Sequence, residues 1–134
     1  MKYVLDTNIC IYIIKKHPAS VIQRLTKTSV EDVAISSITY SELEYGVSKS
    51  RHQTKNKIAL MEFLAPFTIL AFDDIAAERY GEIRADLERN GNIIGNMDLL
   101  IAAHALSADL TLVTNNEKEF IRIPDLKIEN WAKS

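Results

Sequence analysis

The chain has 134 residues, 47% hydrophobic and 25% charged, with 16 basic and 18 acidic side chains and a formal net charge of −2, a profile that fits one globular domain spanning 1–134 and leaves no room for a second. No uncharged apolar run approaches the roughly 18 residues a membrane helix needs, and the N-terminus lacks a signal-peptide layout, so we expect a cytoplasmic protein with no membrane association. Cys10 is the single cysteine, which excludes an internal disulfide and a thiolate metal cluster, and its apolar setting "NICIYII" reads as a buried small hydrophobe.

Taken in chain order, the elements alternate. "KYVLD" reads as a strand, residues 8–16 as a helix, and Pro18 sits where it opens a second helix running to about Lys27. "VAIS" (33–36) is the next short strand, and helices follow from about Thr39 to Ser50 and from about Thr54 to Ala65. "FTILAF" (67–72) reads as a strand, and 74–89 as a long amphipathic helix that Gly91 ends. "MDLLIAAHAL" (97–106) is apolar nearly all round, as a buried helix should be, and "TLVT" (111–114) and "LKIEN" (126–130) supply the last strands. Short strands separated by helices predict an α/β fold with a mainly parallel sheet, because parallel strands need long right-handed crossovers, and with helices on both faces. The functional crevice of such a sheet lies beyond the carboxyl ends of its strands.

Four separated segments bring oxygen-bearing side chains to that end. Asp6 follows the first strand, Glu42 lies in the first turns of the helix after the second, Asp98 opens the buried helix, and Asn115, Asn116 and Glu117 follow "TLVT". Each position has a plainer reading. Asp6 or Asn8 caps the first helix, Thr39 with Glu42 spells a capping box, Asn116 with Glu119 approximates another, and Asp98 sits favourably against a helix dipole. The combination points elsewhere, because two carboxylates about 4 Å apart repel by roughly 4 kcal/mol at an effective dielectric of about 20. A divalent cation removes that cost, and oxygen donors without His or Cys favour magnesium or manganese over zinc.

Other residues carry weaker signals. "KSRHQTKNK" (Lys49 to Lys57) is basic without one acid, and Arg79, Arg84 and Arg89 recur at helical spacing; both are either solvated surfaces or phosphate contacts. His104 lies six residues after Asp98, about 240° round a helix, so the two share no face and packing is the expected role of His104. His17 and His52 fall in predicted loops. Thr7 and Thr114 flank the acidic positions and are placed to orient ligands or water, with capping as the alternative. Gly46 interrupts a helix at some cost, which implies another backbone packed close to it.

"LDTNI", "SSITYSELEYG", "IGNMDLLIAAHAL" and "LVTNNEKEF" together resemble the PIN-domain family, and more narrowly the VapC-type toxins of prokaryotic toxin–antitoxin pairs, in order over essentially the whole chain. The resemblance implies a three-layer α/β/α fold and a magnesium-dependent endoribonuclease, manganese being a possible substitute. Asp6, Glu42 and Asp98 match the family's acidic metal positions. Many PIN domains carry Asp at the fourth position, where this chain has Asn116; Asn coordinates through its carbonyl or orients a water but adds no charge. The resemblance leaves open whether Asn116, Glu117 or Glu119 fills that place. It also implies hydrolysis by a metal-activated water to 5′-phosphate and 3′-hydroxyl ends, a homodimer, a cognate VapB-type antitoxin that blocks the pocket, and structured RNA as substrate, initiator tRNA in its anticodon stem–loop leading.

Competing α/β readings fare worse. "DTNICIY" has no glycine for a dinucleotide-binding turn, and a receiver domain or a haloacid-dehalogenase-like phosphatase shares only an Asp after a strand. The serious alternative is a PIN-type RNA-binding or partner-binding module that no longer cuts, because Asn116 weakens the metal site.

Overall fold

The short apolar runs become strands whose successive residues turn to opposite faces. In a computed structural model, which describes residues 1–133, β1 (Tyr3–Leu5), β2 (Val33–Ser36), β3 (Thr68–Leu70), β4 (Thr111–Val113) and β5 (Ile128–Glu129) pair entirely in parallel, in the order β3-β2-β1-β4-β5. Val4, Ala34 and Leu112 face one side; Leu5, Val33, Ile35 and Val113 face the other. Both faces are apolar, so both must be covered. On the first side lie α5 (Asp74–Arg89), α6 (Asn96–Ser107) and Phe120 of the short α7 (Glu117–Phe120). On the second lie α1 (Thr7–Lys15), α2 (Ala19–Thr26), α3 (Ser37–Ser48) and α4 (Gln53–Leu64), with Trp131 of the closing segment. The three-layer α/β/α architecture read from the sequence is the one the chain adopts.

Most element boundaries fall within a residue or two of those read above. α5 begins under an Asp73 cap whose carboxylate accepts from the Ala76 amide. It ends where Gly91 takes a φ of +69°, the Gly91 and Asn92 amides donating to Glu88 and Leu87. α3 starts two residues early, at Ser37, because the Ser36 hydroxyl accepts from the Ile38 amide and caps the helix there. The Thr39–Glu42 capping box therefore does not form. Thr39 is buried inside the helix, its hydroxyl unpartnered among the described residues. The Asn116–Glu119 box does not form either, since the Asn116 side chain makes no cap bond. Among the described residues nothing packs against Gly46, where an added Cβ would meet no atom within 4 Å.

Sheet order places the site. From β1 the chain crosses to β2 and β3 on one side, then returns through α5 and α6 to β4 on the other side of β1. The β1–β4 boundary is thus the topological switch point, where adjacent connections diverge and leave a crevice. Leu5 pairs with Val113 and the Asp6 amide donates to the Val113 carbonyl at 3.0 Å, so Asp6 and Thr114 emerge side by side. Cys10 is buried. No helix among the described residues is long and apolar enough to cross a membrane.

Candidate active site

Asp6 performs two tasks at once. One carboxylate oxygen accepts from the Ile9 amide at 2.9 Å and caps α1, while the residue stays 5% exposed at the crevice floor. Burial raises its pKa, with the Glu42 charge adding to the effect; hydrogen bonds from Thr114 and the Ile9 amide oppose it. The Thr114 hydroxyl also accepts from the Asn116 amide at 2.9 Å, so one buried side chain ties the ends of β1 and β4 together.

Glu42 enters from α3. Its Oε1 accepts from the Thr7 hydroxyl at 2.5 Å, a contact that joins the first turns of α1 to α3. Asp98 comes from the first turn of α6 and is pushed up to about 6, chiefly by burial, then by a hydrogen bond with Glu119 and by the charges of Glu119, Asp6 and Glu42. Four acids thus share one electrostatic field. The Asn116 Nδ2 lies 3.4 Å from Asp98 and 3.3 Å from Glu119, so its amide nitrogen, not its carbonyl, faces the carboxylates.

Asn116 and Glu119 thus stand together beside Asp98. Glu117 points away, bound to Lys133 at 2.7 Å and Asn130 at 3.1 Å, and Asn115 donates to the Tyr12 hydroxyl at 3.2 Å. Glu119 carries a charge that Asn116 lacks, and its signal in the sequence is the three-residue spacing from Asn116, which places both on one face of a turn.

Several flagged residues stand outside this pocket. Arg79, Arg84 and Arg89 pair along their own helix with Glu82, Glu88 and Asp86 at 3.8, 3.3 and 2.5 Å, as a solvated face does. His104 is buried, its Nδ1 2.8 Å from the Ser36 hydroxyl and its ring edge-on to Phe72; burial lowers its pKa against the opposing Asp73 charge.

The donor set is all oxygen and electrostatically strained, which fits a hard divalent cation. Among the described residues no three His, Cys, Asp or Glu side chains close around one point as metal ligands. Beside Glu42, a groove of about 290 Å³ runs between α1, α3 and α4, with Ile11, Ile14, Leu43 and Leu60 as walls and Gly46 leaving it open.

Comparison with known proteins places this geometry. The PIN-domain model matches residues 3–126. Ribonuclease VapC2 of Rickettsia felis is 52% identical over 134 residues, covering 99% of this chain and 100% of that one. The tRNA(fMet)-specific endonuclease VapC of Shigella flexneri is 42% identical over 98% of this chain and 99% of its own. A crystal structure of VapBC2 from Rickettsia felis bound to a promoter DNA fragment superposes with a TM-score of 0.92 at 51% identity, covering 98% of this chain and 99% of that chain. The chain belongs to the PIN-domain family, within its VapC group of ribonucleases.

Proposed function

We propose that this protein is the toxin of a type II toxin–antitoxin pair and a magnesium-dependent endoribonuclease that cuts structured RNA, initiator tRNA in its anticodon stem–loop first, and so inhibits translation. The observation that carries the reading is the meeting of Asp6, Glu42, Asp98 and Glu119 at the switch point, where Asp98 is raised to about 6. Relatives named as tRNA(fMet)-specific endonucleases in Shigella flexneri and Salmonella typhimurium support the substrate.

In this reading Asp6, Glu42 and Asp98 hold the ion, and manganese can replace magnesium. When bound, the ion offsets the charge of the pocket and of the phosphodiester and activates water for attack at phosphorus. Thr114 and the Ile9 amide fix the Asp6 carboxylate, and Thr7 fixes that of Glu42. Asn116 holds Asp98 and Glu119 through its amide. Below about pH 6 Asp98 keeps a proton that would compete with an ion for its oxygens. The non-cutting alternative rested on the charge missing at Asn116, and Glu119 supplies that charge.

Residues 1–134 act as one PIN domain in the cytoplasm and as a homodimer. A VapB-type antitoxin lays an apolar segment in the groove beside Glu42 and sets a basic side chain over the acids, a fit supported by the groove's apolar walls and acidic end.

Incubation of purified protein with total tRNA and magnesium should give cleavage that a chelator abolishes and that Asp6→Asn or Asp98→Asn eliminates. The ends should be 5′-phosphate and 3′-hydroxyl. RNA retained uncut in magnesium and in manganese, or cut to 2′,3′-cyclic phosphate ends, overturns the reading.

A further inference from the structure

The basic stretch Lys49–Lys57 has no part in the acid pocket, yet it is not an ordinary solvated surface either. The three arginines of α5 are each neutralised on their own helix, and Lys57 is neutralised by Glu44. Lys49, Arg51 and Lys55 pair with no acid among the described residues. Beside them Tyr45 stands 66% exposed, with the Lys49 ammonium 4.9 Å from its ring centre.

Their place on α3 is what joins them to the pocket. Glu42, Tyr45 and Lys49 are spaced i, i+3 and i+7, within about 60° of one another round the axis and rising by about 4.5 and 10.5 Å. The stripe leads out of the pocket toward the C-terminus of α3, after which Arg51 follows in the turn to α4 and Lys55 in the first turn of α4. A rise of about 10 Å matches about three nucleotides at the stacked spacing of roughly 3.4 Å per nucleotide. The exposed residues beside Tyr45 on this stripe, Ser41, Ser48 and Lys49, are polar, which suits a nucleic-acid strand better than an apolar protein face.

We propose that Tyr45, Lys49, Arg51 and Lys55 form a track for unpaired RNA leading away from the acid pocket. The Tyr45 ring stacks on a base beside the scissile phosphate, and the cations hold the phosphates beyond it. The proposal rests on the ribonuclease reading and deepens it, since it names the surface by which the unpaired part of a stem–loop is held.

The test uses full-length protein silenced by Asp98→Asn and a fluorescein-labelled initiator-tRNA anticodon stem–loop, with binding read by anisotropy. Tyr45→Ala should weaken binding roughly tenfold, while Tyr45→Phe, which keeps the ring, should stay within about twofold of the parent. Lys49→Ala with Arg51→Ala should lower the slope of log Kd against log salt by about 1.4, the release expected from two single-strand phosphates. In the cleaving protein the same changes should raise KM and leave kcat unaltered. Cleavage by the wild type with affinity, slope and KM unmoved in the variants overturns the track alone. A changed sedimentation mass in Tyr45→Ala with unchanged RNA affinity also overturns it, assigning the ring to a contact between protein chains. A wild type that neither binds nor cuts RNA overturns the function and the track together.

Discussion

Asp98 holds its proton more tightly in the fold than in the unfolded chain, its pKa rising from 3.8 to about 6. The stability linked to that proton is fully present below pH 3.8 and is lost as pH rises through about 6. Chelated protein should therefore weaken between about pH 4 and pH 7, and Asp98→Asn should flatten the loss. At pH 7 the variant should melt several degrees above the metal-free parent by calorimetry, and added magnesium should narrow the gap; an equal or lower melting temperature would show that the acids are not crowded. Thr7 offers a milder perturbation at the same site. Thr7→Ala removes the donor that aims Glu42 and should weaken apparent magnesium affinity about 10- to 100-fold, with Thr7→Ser restoring it. Titration of cleavage against magnesium decides this.

At the scale of elements, α3 is the piece whose placement matters most, because it carries Glu42 and the RNA track. Its N-terminus is anchored by Ser36, whose hydroxyl meets both the Ile38 amide and the His104 ring, 68 residues away in sequence. Ser36→Ala leaves the half-buried Ile38 amide and the buried His104 Nδ1 without this partner and should cost about 2 kcal/mol in urea denaturation. Burial lowers the His104 pKa, so the stability it contributes is present above 6.5 and lost as pH falls below that value. The contrast with α5 explains what could be read in advance. Asp73 and Gly91 cap α5 from its own ends and are visible in sequence. The start of α3 was set by a hydroxyl inside a strand-like run and by a distant histidine, which left the local T-x-x-E pattern at Thr39 as a misleading signal.

Across the whole molecule, the sheet order does the assembling: one crevice receives acids from β1, α3, α6 and α7, and an apolar groove opens beside it. Gly46 keeps that groove open, since nothing within 4 Å fills the space a side chain would take. Gly46→Leu should occupy the groove and weaken antitoxin binding roughly tenfold or more, the scale at which filling a central contact acts. Cleavage of tRNA by the free toxin should persist, and calorimetric titration with the antitoxin, beside a cleavage assay, reads both. Unchanged antitoxin affinity would remove the groove from the interface.

Fold class, the strand-end positions of Asp6 and Asp98, and the burial of Cys10 and α6 were all legible in order and periodicity, because apolar alternation and strand–helix succession are local properties. Tertiary structure alone decided that Glu119 and not Glu117 enters the pocket, that Asn116 turns its amide to the acids, that Glu42 is aimed by Thr7, and that Lys57 is paired with Glu44 while Lys49 meets no acid among the described residues. The reason is geometric: one residue of helix turns a side chain by about 100°, and which direction meets a partner depends on elements packed from elsewhere in the chain.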